Sequence, residues 1–337
     1  MIKLAVLLPT YNAASYIRDS IDSILNQTFE DFHLFIYDDC STDDTENIVS
    51  AYNDKRIFYR KNQRNLGIAK TLNKGFDDLL HNYQYIARMD ADDWSYPERF
   101  ESQLKMFEQD ADLIMCGTQG YWLTDFEKNF PSFIWEYPVN YNTLKINLLF
   151  SGSFGHSSVI FNSNFLIQNN IRYNTAFKTC EDWELWTRIM EIGKAVNSPD
   201  FLMKYRMLPL SSHRNPENRA IHLKERSSII ARQWSNFGHF VDINDLFCFY
   251  YNRKTLKTSE FKRILKLFIS LFNEVHTSEL FKLNKKDQVY FRYRFARNIL
   301  RYWKYSGISR FSFKIWWLII SKVKFMNKFR LIRSIIR

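Results

Sequence analysis

The chain has 337 residues, is 46% hydrophobic and 17% aromatic, and carries a net charge of +11, enough for buried cores and two domains. Its four cysteines (Cys40, Cys116, Cys180, Cys248) are far apart and form no CxxC or Cys/His cluster, which argues against structural zinc and a disulfide framework and for a reducing compartment. No eighteen apolar residues run together, so no membrane-spanning helix is expected, and Met1–Leu4 enters a strand pattern without the features of a signal peptide.

The net charge hides an asymmetry. Residues 1–200 hold 18 Lys/Arg against 28 Asp/Glu, whereas residues 201–337 hold 29 against 8. After Asp287 there are 13 basic residues and no acidic one. That division predicts an acidic catalytic half and a basic half facing a polyanion, either a lipid surface or nucleic acid.

In chain order, Lys3–Leu8 is a continuous apolar run, the pattern of a strand buried on both faces. Pro9-Thr10-Tyr11-Asn12 ends it, and 14–26 reads as a helix with Ile17, Ile21, Ile24 and Leu25 on one side. A second strand, His33–Tyr37, ends in Asp38-Asp39-Cys40-Ser41-Thr42-Asp43-Asp44, where Ser41 or Thr42 can cap the next helix. Ile57–Tyr59 is a third strand. Asn65-Leu66-Gly67 turns into a helix through Leu72, Phe76 and Leu80. A fourth strand, Tyr85–Met89, delivers Asp90-Ala91-Asp92-Asp93. Strands alternating with helices imply βαβ units and a mostly parallel sheet, with ligands at the carboxyl ends of its strands. The polar turns at 10–12, 38–39, 65–67 and 90–93 all fall there.

Three carboxylates in four residues repel unless something positive sits between them, and hard oxygen ligands suit Mg²⁺ or Mn²⁺ on a phosphorylated ligand. The competing reading is a solvated acidic turn ahead of the helix at Glu98-Arg99-Phe100. Further on, the pattern is less regular. Gly152, Gly155 and His156 precede a strand at Ser157–Phe161, a helix opens at Glu181-Asp182-Trp183, and Phe201–Arg206 is a last strand. Asp182, flanked by Trp183 and Trp186, suits a base for a sugar hydroxyl, with apolar walls for stacking the sugar and for raising its pKa; the alternative is that Glu181 and Asp182 cap the helix. From Asn215-Pro216 the chain reads as helices at 216–235, 242–252, 259–275, 285–304 and 309–335.

Five stretches in this order resemble the family 2 glycosyltransferases, inverting enzymes of the α/β GT-A fold, of the type that builds bacterial surface polysaccharide or lipopolysaccharide. They are Pro9–Ala13, Asp38–Thr45, Asn65–Gly67 with Asn73-Lys74-Gly75, Met89–Asp93 and Glu181–Trp183. The resemblance covers roughly residues 1–210. It implies a catalytic domain at 1–214, with a nucleotide-binding half at about 1–116 and an acceptor half at about 117–214, and a basic helical region at 215–337. It also implies roles by position. Thr10, Tyr11 and Asn12 would line the nucleotide pocket, with Asp39 on the nucleobase or ribose and Asn65 and Gly67 at its border. Asp90 would face the ribose, Asp92 would ligate Mg²⁺ or Mn²⁺, and Asp93 would be structural. Asp182 would be the catalytic base, with His156, Glu181 and Trp183 on the acceptor side; for His156 a packed or surface histidine is an equal reading.

Many relatives follow the last strand with Tyr-Arg, one residue and a metal-shell histidine. Here Tyr205-Arg206-Met207 is followed by Leu208, and His213 comes five residues later. The Gln-X-X-Arg-Trp motif of processive synthases is absent. The expected activity is therefore a single addition from a nucleotide sugar, a UDP-sugar first, to a saccharide or lipid-linked saccharide. Residues 288–337 interleave cations and aromatics, with Ile315–Ile320 between Lys314 and Lys322, which fits the headgroup zone of an anionic membrane. A cytoplasmic protein peripheral on the inner face of the cell membrane is expected. Two other classes compete: a nucleic-acid-binding protein using that tail, and a sugar nucleotidyltransferase, which would want a Gly-rich loop after the first strand.

Overall fold

Leu4–Thr10 (β1) is buried at every position, as an apolar run without alternation requires of a strand covered on both faces. The computed structural model of the chain describes residues 3–124, 133–208 and 215–244, with parts of 246–295. Beside β1 lie β2 (Phe32–Asp38), β3 (Ile57–Lys61) and β4 (Tyr85–Arg88), all parallel in the order β3-β2-β1-β4. The crossovers are α1 (Ile17–Leu25), α2 (Thr45–Ser50) and α3 (Ile68–Leu79). Gly75 lets α3 lie directly on β1, since a Cβ there would come 2.4 Å from Leu7 Cδ1. Helix α1 starts at Ile17, not at 14: residues 14–16 form a turn in which the Tyr16 and Ile17 amides both donate to the Ala13 carbonyl (2.9 Å), while the Ala13 and Ala14 amides are satisfied by Thr45 Oγ1 (3.0 Å) and Asp43 Oδ2 (2.9 Å).

The second half departs further from expectation. It holds β5 (Trp94–Ser95), α4 (Arg99–Gln109), β6 (Leu113–Leu123), β7 (Phe133–Trp135), α5 (Tyr141–Leu148), a 3₁₀ turn at His156–Ser158, β8 (Ile160–Asn162), α6 (Ser163–Gln168), α7 (Glu181–Ile192), β9 (Lys194–Arg206) and α8 (Arg219–Ser235). The strand read at 157–161 is thus a 3₁₀ turn followed by a three-residue strand. The last strand begins seven residues earlier than its apolar run, because β9 is irregular where it pairs with the long β6. Elements β5, β7, α5 and α6 carry too little periodicity to be read. The described sheet runs β3-β2-β1-β4-β8-β6-β9-β5, with β7 on β6; β8 enters antiparallel between β4 and β6.

The chain divides into two units. The first is residues 1–141 with 152–215, and the second is residues 142–151 with 216–337. The second therefore borrows a segment from within the first half. Trp234 Nε1 donates to the Leu149 carbonyl (3.1 Å), Tyr290 to Asn147 (3.2 Å) and Arg294 to Ser151 (2.8 Å). Helical residues are described at 243–244, 246–247, 263, 266–267, 269–271, 273, 285 and 287–295; most of the helix expected at 259–275, all of 309–335, His213 and the aromatic-basic run from Arg297 onward lie outside the described residues. Among the described residues no helix is long and apolar enough to cross a membrane.

Candidate active site

The ends of β1 and β2 are tied together before any ligand arrives. The Asp39 amide donates to the Thr10 carbonyl (2.8 Å). The Asn12 amide donates to Ser41 Oγ (2.8 Å), and Asn12 Oδ1 accepts from the Thr42 amide (2.9 Å). Asn12 and Cys40 both hold positive φ, 49° and 69°, which is uncommon for non-glycine residues and marks two tight turns. Tyr11 and Asn12 are exposed, whereas Thr10 is buried with no partner for its hydroxyl among the described residues. Asp39 is nearly saturated: Oδ1 accepts from Asn62 Nδ2 (2.9 Å) and the Leu66 amide (2.8 Å), and Oδ2 from the Gly67 amide (2.8 Å). It anchors the 65–67 turn, where Asn65 is exposed and Gly67 stands at φ 83°, ψ 159°, a conformation almost confined to glycine.

At the end of β4 the carboxylates of Asp90, Asp92 and Asp93 lie within 4.8 Å of one another. They are not equivalent. Arg88, 3% exposed, forms an ion pair with Asp90 and donates to Ser157 Oγ (2.9 Å). Ser157 Oγ also reaches Asp90 Oδ2 (2.6 Å) and bonds Asp93. Burial works against the Asp90 charge, but Arg88 outweighs it and holds its pKa below the usual range. Asp93 is fully buried and accepts from the Arg206 amide (3.0 Å), tying the turn after β4 to β9; burial and the neighbouring aspartates push its pKa well up. Asp92 is half-buried, and its carboxylate accepts from no other residue among those described. Burial and then the Asp90 charge push it up to about 7. A carboxylate with unused oxygen lone pairs, short of a cation partner, fits a hard divalent ion. The residues present therefore suit the Mg²⁺ or Mn²⁺ implied by the sequence, with Asp92 as protein ligand.

The third group lies at the start of α7. Its N-cap is Cys180, and neither Glu181 nor Asp182 caps the helix; Asp182 Oδ1 accepts instead from the Trp183 amide (2.6 Å). Burial raises Asp182 to about 6, and burial with the Asp182 charge raises Glu181 to about 8. Arg88 and Asp90 act on both charges, so α7 and the acidic turn share one electrostatic site. Trp183 and Trp186 are 5% and 0% exposed, so they wall the carboxylates but offer no open face for stacking a sugar. His156 is packed, not superficial: Nε2 lies 2.9 Å from the Tyr173 hydroxyl, Nδ1 lies 3.8 Å from Glu181 Oε1, and the ring meets Trp186 edge-on.

Arg88, Ser157, Tyr173 and Arg206 were not singled out from sequence as site residues. Arg88 could have been, since a lone cation in an apolar strand two residues before three aspartates invites the pairing. Leu208, at the position of the relatives' histidine, brings no metal ligand.

Residues 5–169 match the glycosyl transferase family 2 model, which takes in all the nucleotide-side turns, the acidic turn and His156. Residues 5–169 are a glycosyl transferase family 2 domain. An uncharacterized glycosyltransferase of Haemophilus influenzae is 29% identical over 60% of this chain and 65% of its own length. The amylovoran biosynthesis glycosyltransferase AmsE of Erwinia amylovora is 28% identical over 60% of this chain and 75% of its own. Among solved structures, Staphylococcus aureus TarS 1–349 in complex with UDP-GlcNAc superposes with a TM-score of 0.58 at 18% identity, covering 90% of each chain. The Pyrobaculum calidifontis mannosyltransferase PcManGT, in complex with GDP-Man and Mn²⁺, gives 0.50 at 14%, covering 98% of this chain and 84% of that one. At such identities the likeness shows the fold alone: the chain has the GT-A fold.

Proposed function

We propose that this family 2 protein transfers one sugar, with inversion, from a nucleotide sugar to a saccharide or lipid-linked saccharide in surface glycan synthesis. The observation that carries the reading is Asp182, a carboxylate with a raised pKa at the start of α7, in the electrostatic reach of the Arg88–Asp90 pair. Asp182 takes the acceptor proton as the acceptor oxygen forms its bond to the anomeric carbon from the face opposite the diphosphate. The bond from that carbon to the leaving phosphate oxygen breaks in the same step. Thr10, Tyr11, Asn12, Asn65 and Gly67 line the nucleotide, with Asp39 shaping the pocket and Asp90 toward the ribose. Asp92 would hold the Mg²⁺ or Mn²⁺, which when bound supplies Lewis-acid stabilisation to the departing diphosphate.

A UDP-sugar is the first donor to try, because TarS is solved with UDP and UDP-GlcNAc; GDP-mannose is the second, from PcManGT. AmsE, named for amylovoran biosynthesis, supports the glycan context. We assign catalysis to residues 1–214 and attachment to an anionic membrane to the basic residues of 215–337. The test combines thermal shifts over a nucleotide-sugar panel, with and without Mn²⁺, and turnover of the donor that binds. Asp182→Asn should keep the donor shift and lose transfer by about 10²–10⁴-fold. Undiminished turnover in that variant removes Asp182 from the role of base.

A further inference from the structure

Glu181 is 8% exposed, and its Oε2 has no hydrogen-bond partner among the described residues. Its Oε1 faces His156 Nδ1 at 3.8 Å. Buried acceptors are almost always satisfied, so an unpaired carboxyl oxygen inside a site asks for a ligand. The neighbouring carboxylate differs. Asp182 is the more exposed of the two and receives the Trp183 amide at 2.6 Å, so it has the donor that an anion needs. Glu181 has none on Oε2, and the one cation acting on it, Arg88, is committed to Asp90. Burial and the Asp182 charge both disfavour a charge on Glu181, while Asp182 has the Trp183 amide to support its own.

We propose that Glu181 works as a neutral carboxylic acid, oriented by His156 and Tyr173, whose Oε2 hydroxyl donates a hydrogen bond to a hydroxyl oxygen of the donor sugar. The three groups lie in a row: the Tyr173 hydroxyl is 2.9 Å from His156 Nε2, and Nδ1 faces Glu181 Oε1 at 3.8 Å, so a proton on Nδ1 would point toward Glu181 when Tyr173 donates to Nε2. The imidazole is held between the Tyr173 ring (centroids 5.5 Å apart) and Trp186 (5.8 Å), so its direction does not wander. His156 and Tyr173 are positioning residues; Glu181 touches the substrate. The donor sugar is the partner because His156 and Ser157 are consecutive: Ser157 bonds Asp90 at 2.6 Å on the nucleotide side while His156 faces Glu181. Glu181 thus adjoins the base in sequence and faces the residue next to Ser157, which is why the transferred ring is the ligand assigned to it. This rests on the sugar-transfer reading.

The test has a spectroscopic arm and a binding arm. Infrared difference spectra of the wild type against Glu181→Gln, at neutral pH without ligand, should show a protonated-carboxyl carbonyl band that the Gln variant lacks. Tyr173→Phe should shift that band without abolishing it. In the second arm, affinities for UDP and UDP-GlcNAc, and for GDP and GDP-mannose, are measured with Mn²⁺. Glu181→Ala should cut the affinity gained from the sugar about tenfold while leaving the bare nucleotide unchanged. Glu181→Gln, which keeps an N–H donor, should restore it to within about threefold of wild type. No carbonyl band in the wild type, no shift in Tyr173→Phe, or equal losses for Gln and Ala would each overturn the proposal. Wild type that binds no nucleotide sugar would instead defeat the sugar-transfer reading, and the infrared arm would still decide the state of Glu181.

Discussion

Replacing Arg88 by Met removes the guanidinium from beneath the acidic turn while keeping a linear stem of similar bulk. Arg88 is 3% exposed; it pairs with Asp90 and donates to Ser157 at 2.9 Å. Removing one partner of a buried pair leaves an uncompensated charge and costs about 3–5 kcal/mol. In a unit of this size, each kcal/mol lowers Tm by about 2–4 °C, so a fall of about 6–20 °C is expected. The pairing is isolated by a cycle: Arg88→Met with Asp90→Asn should recover a large part of the loss, because neither charge is then stranded. Urea unfolding followed by tryptophan fluorescence reads all four proteins. Arg88→Met within about 1 kcal/mol of wild type, or a double variant as unstable as the sum of the singles, would refute the reasoning.

Three other outcomes follow from the same geometry. Asp92→Asn should lose most of the Mn²⁺-dependent part of the nucleotide thermal shift while keeping the unfolding temperature of the free protein, since the Asp92 carboxylate accepts from no other described residue and its carbonyl bond to Arg206 is a backbone one. Transfer should fall as pH drops below about 6, roughly tenfold per unit, because the raised pKa of Asp182 means its basic form is lost from that pH downward; a kcat/KM profile flat to pH 5 would contradict this. Gly67→Ala should cost about 1–3 kcal/mol, measured by urea unfolding, through backbone strain at φ 83° and not through crowding, since nothing lies within 4 Å of the added methyl.

The nucleotide half was legible because its strands are short apolar runs whose polar residues are saved for their carboxyl ends. β1 is buried at every position and β2 at all but His33, and the turns at 10–12, 38–39, 65–67 and 90–93 follow from that signal. The acceptor half was not, for a physical reason. β7 and β8 have three residues each, too few to show a period, and β9 changes register against β6 at bulges that leave its apolar residues out of step. Within the site, residue types were readable but their partners were not. Asp39 reads as a ligand in sequence, yet two loop amides and Asn62 take most of its capacity. Such allocation depends on which loop returns to which strand end, and local spacing does not encode that.

The acidic turn is best understood by asking which cations are already spent. Arg88 is committed to Asp90. Arg206 lies closest to Asp92, with its Nε on the Asp92 carbonyl (3.0 Å), but its Nη2 is paired with Asp19 (2.6 Å) and its plane lies 4.9 Å over Tyr16. Asp93 is buried, with its pKa pushed up, and ties the turn to β9. Asp92 is thus the carboxylate that the protein leaves uncompensated, at the place where a diphosphate would bring further negative charge. Arg88 would have to leave Asp90, and Arg206 to leave Asp19, to answer that charge. Under the proposed function a divalent ion arriving with the donor would balance it, with Asp92 as its protein ligand and Leu208 in the histidine position adding none. The ion should accordingly bind weakly to the free protein and tightly only together with a nucleotide diphosphate, which supplies the remaining oxygens. Calorimetric titration of Mn²⁺ with and without UDP separates the two cases, and equal affinity in both would show a protein-made site that Asp92 alone does not explain.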